Sequence, residues 1–394
     1  MARVVLLKGQ SQYDVLRIFI DYLGEAFNQL GDEVFIIDLM KSQWTKDLQD
    51  VFSQACDFVF AFNCIGIDLE ANNELLFNLT NTAYVGCLVD HPIYHLQRIN
   101  TNLNKLILTC VDYSHIEFLC TYYPLKRAAF LPHGGSIKEG NPKDQRVREI
   151  DVLFGGSFKD PNLIRNEWLI LPKTVISIMD EAVEYLLANP DKSLEGGFKF
   201  VLQSKSFYGE YGMLMNNPAF LQLVDGYVRS YRRYRCIEEL IKSGIEIDFY
   251  GSLEWKKNPF EKYKNFRIHN SVGFNEMLSL MENSKVVLNV LPNFSNGSHE
   301  RIFTSMLQGA ISVTDKNQYL ESQFNDEEDI LFYSWDKIEL LPAKIKDILA
   351  YEEKRNYIAL NGMQKAKENH TWLQRAKKIK ELVEISNVFK TTRK

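Results

Sequence analysis

The chain has 394 residues, 45% hydrophobic and 25% charged, with a formal charge of −5 at neutral pH and a pI near 5.9. That length exceeds one ordinary hydrophobic core and predicts two domains, while the acidic balance argues against a nucleic-acid partner. No apolar run approaches the ~18–20 residues that cross a bilayer, so an integral membrane protein is not expected.

MARVVLLKG at the N-terminus lacks the apolar segment and cleavage site of a signal peptide and reads as a first strand. After the turn Gly9-Gln10-Ser11, a helical pattern runs from about Tyr13 to Leu30 and ends at Gly31. Strands are predicted at Glu33–Leu39, Phe58–Asn63, Ala83–Val89, Lys105–Thr109 and Ala128–Leu131. Continuous apolar strands separated by helices imply a parallel sheet covered on both faces. Pro92 turns the chain away from the third of these, leaving Asp90 and His91 at its carboxyl end. An imidazole beside a carboxylate suits general-base chemistry; the alternative is an Asp that caps the next helix. His133, in LPHGGS, occupies a similar strand-end position on the same side. The six cysteines show neither C-x-x-C spacing nor pairing with histidines. No metal site or disulfide framework is expected, and the simplest location for such thiols is cytoplasmic.

Ile137–Arg148 is polar and reads as a linker between a first domain of residues 1–140 and a second of 150–368. The second opens on IDVLFGGSF, a strand ending at Gly155-Gly156-Ser157, where Gly156 and Ser157 let a phosphate approach the backbone or simply form a tight turn. Residues 161–244 carry more helix than a crossover needs and read as an inserted helical subdomain. One stripe is Val175, Ile178, Met179, Ala182 and Leu186, another Tyr231, Tyr234, Ile237 and Ile241. The arginines of the RSYRRYR run fall mostly off that second stripe, which predicts a solvated helix face. Later strands are expected at Ile245–Tyr250, Phe266–His269, Val286–Leu291, Ala310–Val313 and Ile330–Phe332. The turns at Tyr250-Gly251-Ser252 and Ser271-Val272-Gly273 either cover a nucleobase or only change the chain's direction. Ser295–Asp315, SNGSHERIFTSMLQGAISVTD, reads as loop, amphipathic helix and buried strand. A helix start offers free N–H groups and a positive dipole end to an anion. Ser298, His299 and Arg301 add donors there, and Glu300 can accept from sugar hydroxyls; a capped surface helix is the other reading. Helices at Pro342–Glu368 and Thr371–Phe389 close the chain, the second begun by a Thr371/Gln374 capping box.

Together these pieces resemble a GT-B glycosyltransferase of the group 1, spore-maturation CgeB-like kind. SHERIFTSMLQGAISVTD resembles the family's x-E-R-x-F-E…G helix and strand, and NHTWLQRAKKI at Asn369–Ile379 resembles its H-T-y-x-x-R-a terminal helix. The resemblance implies two Rossmann-like domains facing a cleft, with the donor on the C-terminal domain and the acceptor on the other. The final helix, 369–394, is then expected to cross back to the first domain. It also implies that His299 and Arg301 meet the donor diphosphate, that Gly156 and Ser157 approach it from the other side, and that Val272 lies by the base, with Tyr250 taken as donor-binding through its turn. No metal or other cofactor is implied. Where relatives carry a glutamate that grips the donor ribose, this chain has Thr304, so that either Glu300 takes the role or donor binding is altered.

The function expected is transfer of a sugar from a nucleoside-diphosphate sugar to a hydroxyl of a glycan or of a protein such as flagellin. Asp90 or His91 would act as base if the transfer inverts, and His133 would lie on the acceptor side. A nucleotide-sugar epimerase and a non-catalytic, glycosyltransferase-like subunit docking a partner through the insertion are the alternatives.

Overall fold

The computed structural model describes residues 1–138, 147–207 and 217–391. Most of the predicted linker, 139–146, lies outside the described residues. Two compact units result: Met1–Ser136 with Glu368–Lys394, and Ile137–Lys367.

The first unit is built on a parallel sheet of β1 (Arg3–Lys8), β2 (Glu33–Asp38), β3 (Phe58–Phe62), β4 (Ala83–Leu88), β5 (Leu106–Cys110) and β6 (Ala128–Phe130), in the order β2-β1-β3-β4-β5-β6. Strands β3, β4 and β5 are buried along their whole length, as strands with both faces covered must be. Helix α1 (Val15–Gln29) buries Phe19, Ile20, Leu23 and Phe27. The last helix of the chain (Trp372–Thr391) packs against α1 in this unit. Its Trp372 ring sits 5.0 Å from Phe19 and 5.9 Å from Phe62, and its Nε1 donates to Ser136 Oγ at 3.0 Å. Gly134 permits that seat, because a Cβ there would lie 2.5 Å from the indole. The Thr371 N–H donates to Gln374 Oε1 at 3.2 Å, the reciprocal half of a capping box.

The second unit has strands β7 (Ile150–Gly155), β8 (Ile247–Tyr250), β9 (Phe266–His269), β10 (Ser284–Leu288), β11 (Ile311–Asp315) and β12 (Leu331–Tyr333). All are parallel, in the order β9-β8-β7-β10-β11-β12. Several strand ends shift by a few residues from expectation. Val290 and Leu291 are buried yet lie beyond β10, because the Leu291 N–H goes to the Asp315 carboxylate at 2.9 Å. Between β7 and β8 come the helices Pro161–Asn166, α2 (Lys173–Ala188), α3 (Leu194–Ser204) and α4 (Pro218–Lys242). These helices pack on one another, and Trp168, Met179, Phe198 and Leu221 are buried. Residues 208–216 of this insertion lie outside the described residues.

Pro342–Glu368 is not one helix. It breaks at the extended Tyr351 (φ −108, ψ 97) into Leu341–Ala350 and Glu352–Asn369. Glu352 and Glu353 fall in the first turn of the second piece, where the dipole favours them. Arg148, at the end of the predicted linker, is tied down. Its guanidinium donates to the carbonyls of Glu282 (2.8 Å) and Gln308 (3.1 Å), at two helix ends, and of Ser284 (2.9 Å), at the start of β10.

Candidate functional site

In the second sheet the strand order reverses between β7 and β10, and ligands of open parallel sheets bind beyond the carboxyl ends of strands at such a point. The chain beyond β7 is Gly156-Ser157; the chain beyond β10 runs through 289–298 into helix α5 (Glu300–Leu307). Asn317 fixes the second of these loops, its Nδ2 donating to the carbonyls of Gly297 (2.9 Å) and Phe294 (3.3 Å).

The start of α5 differs from the free N–H cluster expected. His299 is its N-cap: Nδ1 accepts the Arg301 N–H at 3.3 Å, and the Ile302 N–H goes to the His299 carbonyl at 3.2 Å. With Nδ1 accepting, a neutral His299 carries its proton on Nε2. Anion binding at this turn therefore falls to side chains. Ser298 is fully buried, and its hydroxyl has no hydrogen-bond partner among the described residues. Arg301 is half-buried; burial pulls its guanidinium below the usual range, against the attraction of Glu300. Burial pushes the Glu300 carboxyl up, opposed by Arg301 and by the Thr304 hydroxyl, which donates to Glu300 Oε2 at 2.8 Å. Thr304 is itself wholly buried and acts on Glu300.

The loop after β7 is held by its neighbour after β8. The Gly156 N–H donates to the Tyr250 carbonyl (2.9 Å), the Ser252 N–H to Ser157 Oγ (3.0 Å), and the Phe158 N–H to the Ser252 carbonyl (3.1 Å). The Ser157 hydroxyl thus accepts one bond and keeps its own proton to donate. Gly251 is required by close approach, since a Cβ there would stand 1.7 Å from the Gly156 carbonyl oxygen. Gly251→Ala should destabilise the fold by about 2–3 kcal/mol in urea unfolding, as overpacking against backbone does. The Tyr250 ring stacks on His269 (4.3 Å, 11°). His269 Nε2 lies 2.7 Å from Asp248 Oδ1, and Arg267 forks onto both oxygens of that carboxylate at 2.9 and 2.6 Å. Burial opposes ionisation of Asp248, but these partners hold it below the usual carboxylate range. Val272 lies half-buried in the loop after β9.

The RSYRRYR arginines do not form a solvated face. Arg232 is buried, donating to Asn293 Oδ1 and the Leu186 carbonyl, both at 2.9 Å. Arg233 donates to the Ser157 carbonyl, and Arg229 lies 3.4 Å from Asp225. The side of α4 turned from the apolar stripe packs against both strand-end loops.

In the first unit, Asp90 receives a long contact from Asn63 Nδ2 (3.5 Å) and faces His95 Nε2 at 3.9 Å. That nitrogen is buried, with no hydrogen-bond partner among the described residues. Sequence reasoning missed His95; Pro92 starts a 3-10 turn over Pro92–Tyr94 that returns it toward Asp90. His91 is buried against His115 (4.7 Å) and Phe118 (4.9 Å), and its Nδ1 accepts the Ile93 N–H at 3.2 Å. The lone pair a base needs is therefore engaged in a cap. His133 is buried, and its carbonyl accepts from Arg375 Nε at 2.8 Å. Burial pushes its imidazole down to about 4, with Asp90 opposing and Arg375 reinforcing. The unfolded ring takes its proton near pH 6.5, so folding excludes a proton between those values. His133 stabilises the fold above pH 6.5, and that contribution, about 3 kcal/mol, is lost as pH falls to about 4. Urea midpoints at pH 7 and 4.5 should differ less in His133→Asn than in wild type.

Residues 232–381 match the family model described as glycosyl transferase-like. The chain has the GT-B fold. Three solved structures carry the fold comparison. The α-glucosyltransferase solved with UDP and a 13-mer DNA aligns at TM-score 0.56 and 10% identity, covering 97% of this chain and 99% of that one. Sucrose-phosphate synthase of Thermosynechococcus elongatus gives 0.52 at 10% identity, covering 99% and 100%. HepE of Anabaena with UDP-glucose gives 0.50 at 10% identity, covering 98% and 100%. No curated protein matches the chain in sequence. Among the described residues no helix is long and apolar enough to cross a membrane, and no group of three or more His, Cys, Asp or Glu is placed to hold a metal ion.

Proposed function

We propose that this chain transfers a sugar from a nucleoside-diphosphate sugar to an acceptor hydroxyl, with donor on the second unit and acceptor on the first. The observation that carries the reading is the start of α5 at the strand-order reversal, where the buried Ser298 hydroxyl, without a hydrogen-bond partner among the described residues, precedes Arg301 at the same loop-to-helix junction. His299 Nε2–H and the Ser157 hydroxyl complete the donors to the diphosphate, and Gly156, without a side chain, lets it approach the backbone. Glu300, held by Thr304, accepts from sugar hydroxyls, and Tyr250 and Val272 border the base. The bond from the anomeric carbon to the diphosphate breaks, its electron pair leaving with the phosphate oxygen, and Arg301 stabilises the charge that develops. Side chains supply that positive charge, and no metal is part of this reading. The acceptor oxygen bonds to the anomeric carbon, and its proton passes to Asp90. The acceptor is a glycan or a protein such as flagellin. A cytoplasmic location accords with six cysteines that are all free thiols.

The test is release of nucleoside diphosphate from UDP- and GDP-sugars by the full chain, with and without a glycan acceptor. Acceptor-dependent release supports transfer. Isomerised donor formed without any acceptor would instead indicate an epimerase.

A further inference from the structure

The helical insertion has no place in the donor site described above, yet α4 touches both loops that border it. Arg233 donates to the carbonyl of Ser157, at the end of β7. On the other side Asn293, beyond β10, accepts from Arg232 at 2.9 Å and donates to Asp225 Oδ1 at 2.7 Å. Two consecutive arginines and Asp225, two turns earlier, thus fix α4 across the strand-order reversal. We infer that Arg233 of α4, with Arg229 one turn before it, joins Arg301 and Ser298 in a single anion site that takes the diphosphate of a nucleoside diphosphate. This rests on the donor reading for the nucleoside, but not for the anion.

Charge supports the assignment. Burial first, then the positive charges of Arg229 and Arg301, lower the Arg233 guanidinium to about 9, with Asp225 opposing. It stays cationic at neutral pH, so like charges converge at one place. Three guanidiniums face two carboxylates: Asp225, which accepts from Asn293 and lies 3.4 Å from Arg229, and Glu300, whose carboxyl burial pushes up. The local charge is therefore positive, an arrangement that repels itself unless an anion occupies it. Guanidinium forks match phosphate oxygens in pairs, which a lone helix start does not. Arg232 is spent on its buried bonds to Asn293 and Leu186, whereas the Arg233 bond to the Ser157 carbonyl holds its guanidinium at the strand end beside the site.

The test is calorimetric titration of the full chain, wild type, Arg233→Ala and Arg233→Lys, with inorganic pyrophosphate, UDP and GDP. Thermal unfolding without ligand serves as the folding control. Wild type should bind pyrophosphate and one of the nucleotides. Arg233→Ala should lose about tenfold or more in both affinities, and Arg233→Lys should lose less, with unfolding temperatures close to wild type. Unchanged affinities in Arg233→Ala would overturn the inference while leaving the donor reading intact. Pyrophosphate binding that depends on Arg233, with no nucleotide bound, would keep the anion site and remove the donor reading. Failure to bind pyrophosphate or either nucleotide would remove both. Should Arg233→Ala unfold, an unchanged affinity in Arg233→Lys accompanied by unchanged affinity in Arg229→Ala would overturn the inference.

Discussion

Arg301→Ala should weaken nucleoside-diphosphate binding by about 10–100-fold, the scale on which a charged hydrogen-bond donor contributes. Its guanidinium is half-buried at the start of α5, and Glu300 is the opposing charge its environment supplies. Burial already lowers its pKa, so removing it relieves a desolvated charge rather than breaking a buried ion pair. The folded state should therefore survive, and the melting temperature without ligand should hold or rise. The neighbouring substitution Thr304→Val separates the two charged groups. It deletes the hydroxyl that holds Glu300 Oε2 without touching Arg301, so it should change sugar-nucleotide affinity more than pyrophosphate affinity. Titration of each variant with both ligands checks these outcomes. Full donor affinity in Arg301→Ala would remove the start of α5 from the site.

Asp90→Asn should lower kcat by about 10²–10⁴-fold, the usual contribution of a positioned base, with donor affinity unchanged. The carboxylate side chain is about half exposed, and its near neighbours are Asn63 at 3.5 Å and the buried Nε2 of His95 at 3.9 Å. A group that collects a proton must be reachable and must have a lone pair to offer; the Asp90 side chain is 45% exposed, and an ionised carboxylate carries about four lone-pair sites. His91 meets neither, being buried with Nδ1 engaged by the Ile93 N–H. His91→Asn keeps an acceptor for that cap and should retain most of the turnover. Steady-state kinetics on the pair decides between them: a severe loss in His91→Asn with normal Asp90→Asn would reverse the assignment.

The architecture was legible because strand alternation and strand-end chemistry are local. Buried parallel strands show as unbroken apolar runs such as Phe58–Phe62, and Thr371 with Gln374 announces a helix start by itself. The start of α5 was legible in place but not in detail. A histidine N-cap is outside the usual Ser, Thr, Asp and Asn set, so the sequence did not show that His299 takes the Arg301 N–H. The arginines of α4 were misread for a different reason. Helical periodicity identifies the face opposite the apolar stripe, but solvent and a strand-end loop look alike from the helix. Only the tertiary bonds of Arg232 to Asn293 and of Arg233 to Ser157 distinguish them. His95 was hidden because its approach to Asp90 depends on the turn set by Pro92.

The most direct test of donor binding on the second unit is a crystal structure of the full chain with the nucleoside diphosphate that binds best. The diphosphate is expected within hydrogen-bond reach of Ser298 Oγ and the Arg301 guanidinium, beyond β7 and β10. A nucleotide bound elsewhere, with both groups left without a phosphate contact, would contradict it.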